Sequence, residues 1–98
     1  MNITKSKEGS TLTVALEGRL DTTTSPQLEA ELKTSLDDVK DLVFDIKDLE
    51  YISSAGLRVL LSAQKVMNKQ GSMKVKNISQ EIREIFEVTG FDELLNIE

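Results

Sequence analysis

Two adjacent serines, Ser53-Ser54, stand where a short apolar stretch gives way to a helical pattern that begins near Ala55. The first turn of a helix has free backbone N–H groups and a partial positive charge. A hydroxyl placed there can do one of two jobs. It can cap the helix, which stabilises it by about 1 kcal/mol. It can also carry a phosphate, since the same N–H groups and dipole favour an anion. Two neighbouring serines leave room for both roles, one capping and one exposed. Arg58, one turn into the same helix, reads either as a partner contact or as a solvated face residue. Asp45 interrupts the apolar run Leu42-Val43-Phe44-Asp45-Ile46, and there a carboxylate either caps backbone groups near the serine loop or ends a strand. Structural support is the expected role.

Much other chemistry is excluded by what the chain lacks. It has no Cys and no His, which removes thiol nucleophiles, thiolate metal sites, disulfides, the commonest general base and the commonest zinc ligand. A nucleotide-handling enzyme built on Asp21 or Asp45 would need a phosphate-cradling loop such as G-x-x-x-x-G-K-S/T, and none is present. No catalytic residue, cofactor or metal is therefore expected. Seventeen acids against twelve bases give a net charge of −5, the wrong sign for displacing counterions from nucleic acid or settling on an anionic membrane. No apolar run approaches the roughly 20 residues of a spanning helix. Met1-Asn2-Ile3-Thr4-Lys5 lacks the apolar region of a secretory leader. The expectation is a cytoplasmic, non-enzymatic protein that works through a protein partner.

The elements that must position these residues follow from periodicity. With 98 residues and 39% hydrophobic content, the chain is expected to fold as one domain over residues 1–98. Asn2 to Lys7 and Thr11 to Glu17 read as strands joined through Glu8-Gly9-Ser10 in a hairpin, the second with Leu12, Val14 and Leu16 on one face. Thr24 or Ser25 followed by Pro26 is helix-start chemistry, and Gln27 would complete a capping box with Thr24. Leu28, Leu32 and Leu36 then mark a helix from about Pro26 to Leu36. Leu42 to Ile46 has the continuous apolar character of a strand buried on both faces, which suggests a βαβ crossover. Leu57, Leu60 and Leu61 carry a helix that ends at Gly71, where a left-handed cap is expected. Met73 to Lys76 reads as a strand whose lysines guard a sheet edge. Ser79 caps a helix stopped by Gly90, with Glu81, Glu84 and Glu87 on its wet face, and Asp92 caps a last short turn. The fold class is α/β, order ββαβαβα, with helices packed against a mixed four- to five-stranded sheet.

Four segments in this order also carry a family resemblance. Asp48-Leu49-x-Tyr51-Ile52-Ser53-Ser54-Ala55-Gly56-Leu57 resembles the signature of the STAS family, which takes its name from sulfate transporters and anti-sigma factor antagonists. Leu16-x-Gly18-x-Leu20-Asp21 resembles the family's segment before the first helix, Val43-Phe44-Asp45-Ile46 its central strand, and Thr89-Gly90-Phe91 its late turn. The resemblance spans essentially the whole chain.

The resemblance implies a bacterial partner-switching regulator of transcription, an anti-sigma factor antagonist. In such systems the unphosphorylated antagonist binds a serine/threonine-kinase anti-sigma factor and frees a sigma factor. Phosphorylation of one serine releases it, and a PP2C-type phosphatase resets the cycle. The family pattern is I/M-D-S-S/T-G-L, with the phosphate on the serine after Asp. Aligned on Gly56-Leu57, that position is Ser54, with Ser53 as the alternative. This chain has Ser53 where relatives have Asp, and Ala55 after the phosphosite. The implied partner surface comprises Asp21, Thr22, Thr23 and Thr24 with Ser53, Ser54, Ala55, Gly56, Leu57 and Arg58; for the Asp21 loop, plain loop and cap chemistry is the competing reading. The alternative function is a structural STAS subunit of a transporter or signalling assembly, in which the serine is never phosphorylated.

Overall fold

The computed structural model describes residues 1–98. Its elements run β1 (Asn2–Glu8), β2 (Thr11–Leu20), α1 (Ser25–Ser35), β3 (Asp41–Ile52), α2 (Ser54–Gln70), β4 (Ser72–Lys76) and α3 (Gln80–Thr89), followed by a 3₁₀ turn at Phe91–Glu93. The order is the expected ββαβαβα. The four strands form one mixed sheet in the order β1-β2-β3-β4, with β1 antiparallel to β2 and the other two pairings parallel. The C-terminal tail adds a single parallel bridge, Val75 to Ile97, on the outer edge of β4.

Alternation decides which way the sheet faces. Leu12, Val14, Leu16 and Leu20 of β2, Leu42, Phe44 and Ile46 of β3, and Met73 and Val75 of β4 all point to the helices and are at most 3% exposed. They join Leu28 and Leu32 of α1, Leu57, Leu60 and Met67 of α2, and Ile82 and Phe86 of α3 in one cluster of 23 buried residues. Fully burying a Leu or Phe contributes about 1.5–3 kcal/mol, so this cluster dominates stability.

β3 is longer than its apolar run predicts. Lys47 to Glu50, beyond the apolar run Leu42 to Ile46, are strand residues too. In its pairing with β2, Ala15 to Glu17 spans two steps against three from Asp45 to Asp48, and Gly18 to Arg19 spans one against two from Leu49 to Tyr51. Each mismatch is a bulge that inserts an extra residue into β3. Inward residues therefore change from a spacing of two (Leu42, Phe44, Ile46) to a spacing of three (Ile46, Leu49, Ile52). The polar pairs between them face out, which is why they resemble a loop in sequence. Burial of β3 on both faces is not found: Val43 is shielded by its neighbours but stands outside the core cluster.

Three helix termini and one edge also differ from expectation. Thr24 occupies the N-cap of α1 without a side-chain cap, so there is no capping box with Gln27. Asp92 lies inside the 3₁₀ turn, which has no side-chain cap either. Gly71 ends α2 in extended backbone rather than a left-handed cap; it is required because a Cβ there would lie 1.8 Å from the Lys40 carbonyl oxygen. That carbonyl accepts the Ser72 N–H at 2.8 Å, which fixes the start of β4. The β4 edge is covered by the tail, Val75 N–H donating to Asn96 O and Glu98 N–H to Val75 O, both 2.9 Å, while Lys74 pairs with Glu98 at 3.2 Å. No helix is long and apolar enough to cross a membrane.

Candidate functional site

β2 and β3 are parallel neighbours, so the loops after them emerge at the same end of the sheet. Their last paired residues are Leu20 and Ile52. Beyond them the Ser53 N–H donates to Leu20 O at 2.9 Å, which joins the two loops at their roots. The Asp21–Thr24 loop and the Ser53–Arg58 segment, expected to act together, are thus adjacent. Thr22, Ala55 and Arg58 line one shallow depression with Ser25, Pro26 and Glu29.

The two serines divide the two jobs. Ser53 is the N-cap of α2: its backbone is extended, and its Oγ accepts the Gly56 N–H at 3.4 Å. Ser53 is half-buried, whereas Ser54, the first helical residue, is exposed. The first turn of α2 contains no acidic residue, so nothing within the turn offsets the positive end of the dipole. Gly56 and Leu57 are buried. Gly56 is there for contact, since a Cβ would stand 2.7 Å from Leu20 Cγ and 2.9 Å from Ile52 Cγ1. α2 can approach the strand ends this closely only without a side chain. Arg58 is exposed and has no ion-pair partner.

Asp21 organises its own loop. Its Oδ1 accepts the Thr23 hydroxyl at 2.7 Å, the Thr23 N–H at 3.0 Å and the Thr24 N–H at 3.1 Å. The Thr23 hydroxyl and then the Thr24 N–H hold the Asp21 carboxyl below the usual carboxylate range. Thr24 turns its hydroxyl away from α1: it donates to Arg19 O at 2.8 Å and accepts the Asp21 N–H at 2.9 Å. Ser25, buried, donates through N–H and Oγ to Asp21 O. With Asp21 Oδ1 and the Thr24 hydroxyl committed, the loop presents a fixed shape, with Thr22 and Thr23 exposed at its rim.

Asp45 is not at this site. It pairs with Ala15, five steps of β2 before Leu20, about 17 Å of strand at ~3.3 Å per residue. Its Oδ1 accepts the Lys47 N–H at 3.2 Å inside the first bulge and the Asn77 Nδ2–H at 2.9 Å from the turn after β4. The Asn77 amide, followed by the Lys47 N–H, lowers its pKa against a raising effect of burial. Asp45 therefore supports a bulge; it neither caps the serine loop nor ends the strand. No three carboxylates converge as a metal site.

Two exposed side chains at this end were not singled out from sequence. Arg19 lies opposite Tyr51 across β2 and β3, with its guanidinium carbon 4.4 Å from the centre of the Tyr51 ring. Arg19 Nε is also 3.9 Å from Asp21 Oδ2. The bulge before Tyr51 hides this pairing from any count along the chain.

Residues 2–98 match the STAS domain. BtrV of Bordetella bronchiseptica, whose name assigns it provisionally to the anti-sigma factor antagonists, is 39% identical over 93 residues, covering 93% of this chain and 80% of its own. The anti-sigma-B factor antagonist of Bacillus subtilis is 29% identical over 98 residues, covering 99% of this chain and 90% of its own. Among solved structures, an anti-sigma factor antagonist from Mycobacterium paratuberculosis superposes with a TM-score of 0.88 at 23% identity, over 98% of this chain and 83% of the other; that likeness is one of fold. Match, strand order and signature residues agree: the chain belongs to the STAS domain family.

Proposed function

We propose that this chain, acting as one STAS domain in the bacterial cytoplasm, is an anti-sigma factor antagonist. Unphosphorylated, it binds a serine/threonine-kinase anti-sigma factor through the rim formed by Asp21, Thr22, Thr23, Thr24 and the Ser53–Arg58 segment, and so frees a sigma factor. The kinase phosphorylates Ser54, which ends binding, and a PP2C-type phosphatase restores the free hydroxyl. It is a binding module, not an enzyme. The observation that carries this reading is the division of labour between the serines. Ser53 takes the cap, which leaves Ser54 exposed at the first position of α2.

A phosphoserine adds about −1.5 to −2 charge at that point. Buried in an interface, such a charge must be desolvated or opposed by partner acids, at a cost of several kcal/mol, and about 1.4 kcal/mol is tenfold in affinity. No refolding is needed, so backbone chemical shifts of the Ser54 and phospho-Ser54 forms should differ only around the two loops; shifts across the whole sheet would refute local blocking.

The test is capture of partners from lysate of the native organism by wild type, Ser54→Ala and Ser54→Asp baits, read by mass spectrometry. Recovery of a small ATP-binding kinase by wild type and Ser54→Ala, but not by Ser54→Asp, is expected. Recovery of a transporter subunit equally by all three would make Ser54 a plain helix residue and sink the reading.

A further inference from the structure

Arg19 and Tyr51 form a preorganised pair that the chain itself leaves mostly unused. Tyr51 is 37% exposed, the one aromatic among the large apolar side chains left at the surface. The Arg19 side chain is 59% exposed, with its guanidinium held over the ring and its Nε at long range from Asp21. The guanidinium thus lies against the ring at 4.4 Å, and its five N–H donors make no hydrogen bond within the chain. The pair is also tied to the candidate site by backbone. Arg19 O accepts the Thr24 hydroxyl, and the next pair along, Leu20 and Ile52, leads into the two loops.

We propose that Arg19 and Tyr51 anchor the partner at this site, with Arg19 reading a carboxylate on an acidic partner surface and Tyr51 packing beside it; this rests on the antagonist reading above. Three observations favour that occupant. Asp21 Oδ1 is saturated inside its loop and Oδ2 faces Arg19 Nε at 3.9 Å, so the guanidinium beside them is the less committed group of the two. The exposed cations at this end, Arg19 and Arg58, lack close ion pairs, in a chain whose net charge is −5. Stacked Arg and exposed Tyr are the side-chain types that concentrate binding energy in interfaces, because little rotamer freedom remains to be lost. The proposal also explains the sign of the switch. An acidic partner is repelled by a phosphate on Ser54, three residues beyond Tyr51.

The test uses the full-length chain and the kinase recovered with the Ser54→Ala bait, produced recombinantly, with titration calorimetry at two salt concentrations. Arg19→Gln and Tyr51→Ala should each weaken the complex at least tenfold, and Arg19→Lys should not restore it, since an ammonium cannot stack and fork as a guanidinium does. Arg19→Gln should also flatten the salt dependence of Kd. Thermal melts of each variant exclude unfolding, and Tyr51→Leu replaces Tyr51→Ala if the latter does not fold. Kd within twofold of wild type for Arg19→Gln and the Tyr51 variant, with Ser54→Asp still unable to bind, would reduce the pair to a cross-strand sheet contact and leave the switch intact. Failure of the wild-type chain to bind any kinase would overturn both readings, and that outcome is seen before any Arg19 variant is made.

Discussion

Replacing Gly56 by Ala tests whether α2 meets the strand ends at the distance described. A methyl at Gly56 would sit 2.7 Å from Leu20 Cγ, 2.9 Å from Ile52 Cγ1 and 3.0 Å from Leu20 Cδ2. Carbon atoms in good contact are about 3.5–4.0 Å apart, so the methyl intrudes by roughly 1 Å. Neither neighbour has room to retreat: Leu20 is 0% exposed and Ile52 1%. Overpacking of this kind costs about 1–3 kcal/mol, against a helix-propensity gain for Ala over Gly of about 1 kcal/mol. Gly56→Ala should therefore lose up to about 2 kcal/mol in urea unfolding followed by circular dichroism, with an unchanged m-value. The melting temperature should fall by up to about 15 °C for a domain of this size. Leu20→Ala on its own costs about 2–5 kcal/mol, but it vacates the space that the methyl needs. In that background the penalty of Gly56→Ala should shrink by half or more, giving a coupling energy of about 0.5–3 kcal/mol. A wild-type background in which Gly56→Ala raises stability, or a penalty untouched by Leu20→Ala, would refute the close approach and the account of why glycine follows the two serines.

Other perturbations separate structural from signalling residues. Ser53→Ala should cost about 1 kcal/mol through loss of the α2 cap, while Ser54→Ala should stay within about 0.5 kcal/mol, both by denaturant unfolding; equal losses would mean that the cap is misassigned. Gly71→Ala should be worse than Gly56→Ala, about 3 kcal/mol or more, because its Cβ would meet a backbone carbonyl held in a hydrogen bond with Ser72 rather than a movable side chain. Asp21 and Asp45 have folded pKa values below their ordinary 3.8, so the stability they contribute is fully present above that value and disappears as pH falls through the lower folded values. Acid unfolding of wild type should therefore steepen below about pH 4, and Asp21→Asn with Asp45→Asn should flatten that limb; an unchanged limb would show that these hydrogen bonds do not favour the charged form.

What the sequence disclosed tracks how local the physics is. Strand alternation in β2, the leucine period of α1 and the hydroxyl-led starts of α2 and α3 are consequences of neighbours within four residues, and each element was found where it was expected. The residual errors involve contacts between segments far apart in sequence. The bulges in β3 turn a period of two into a period of three, so Lys47 to Glu50 fell outside the apolar run and the Arg19–Tyr51 pairing could not be counted out. Gly71 looked like a left-handed cap because nothing in its own segment shows the Lys40 carbonyl pressed against it. Thr24 looked like a capping hydroxyl because its actual partners, Arg19 O and Asp21 N–H, precede it. At the site itself, the split between a capping and an exposed serine was legible as a possibility in the bare pair Ser53-Ser54. Only the geometry assigned the cap to Ser53.

That assignment bears on Ser53, the residue at which this chain departs from the family pattern its signature resembles. An Asp before the phosphosite would accept the Gly56 N–H as Ser53 does, and it would add a negative charge beside the modified hydroxyl. Ser53 keeps the cap without the charge. The first turn of α2 then has no acid at all, and a phosphate on Ser54 would meet a helix end whose dipole favours anions by about 0.3–1 kcal/mol. Within the first turn of α2, therefore, no acid opposes phosphorylation, and the helix end itself gives no reason to loosen the fold. If the modification switches binding off, the opposition must come from outside the chain, in the charge and packing of the partner. A partner that docks on Arg19 and Arg58 with its own carboxylates supplies that opposition. The same carboxylates that draw the partner to Arg19 and Arg58 make it intolerant of the phosphate.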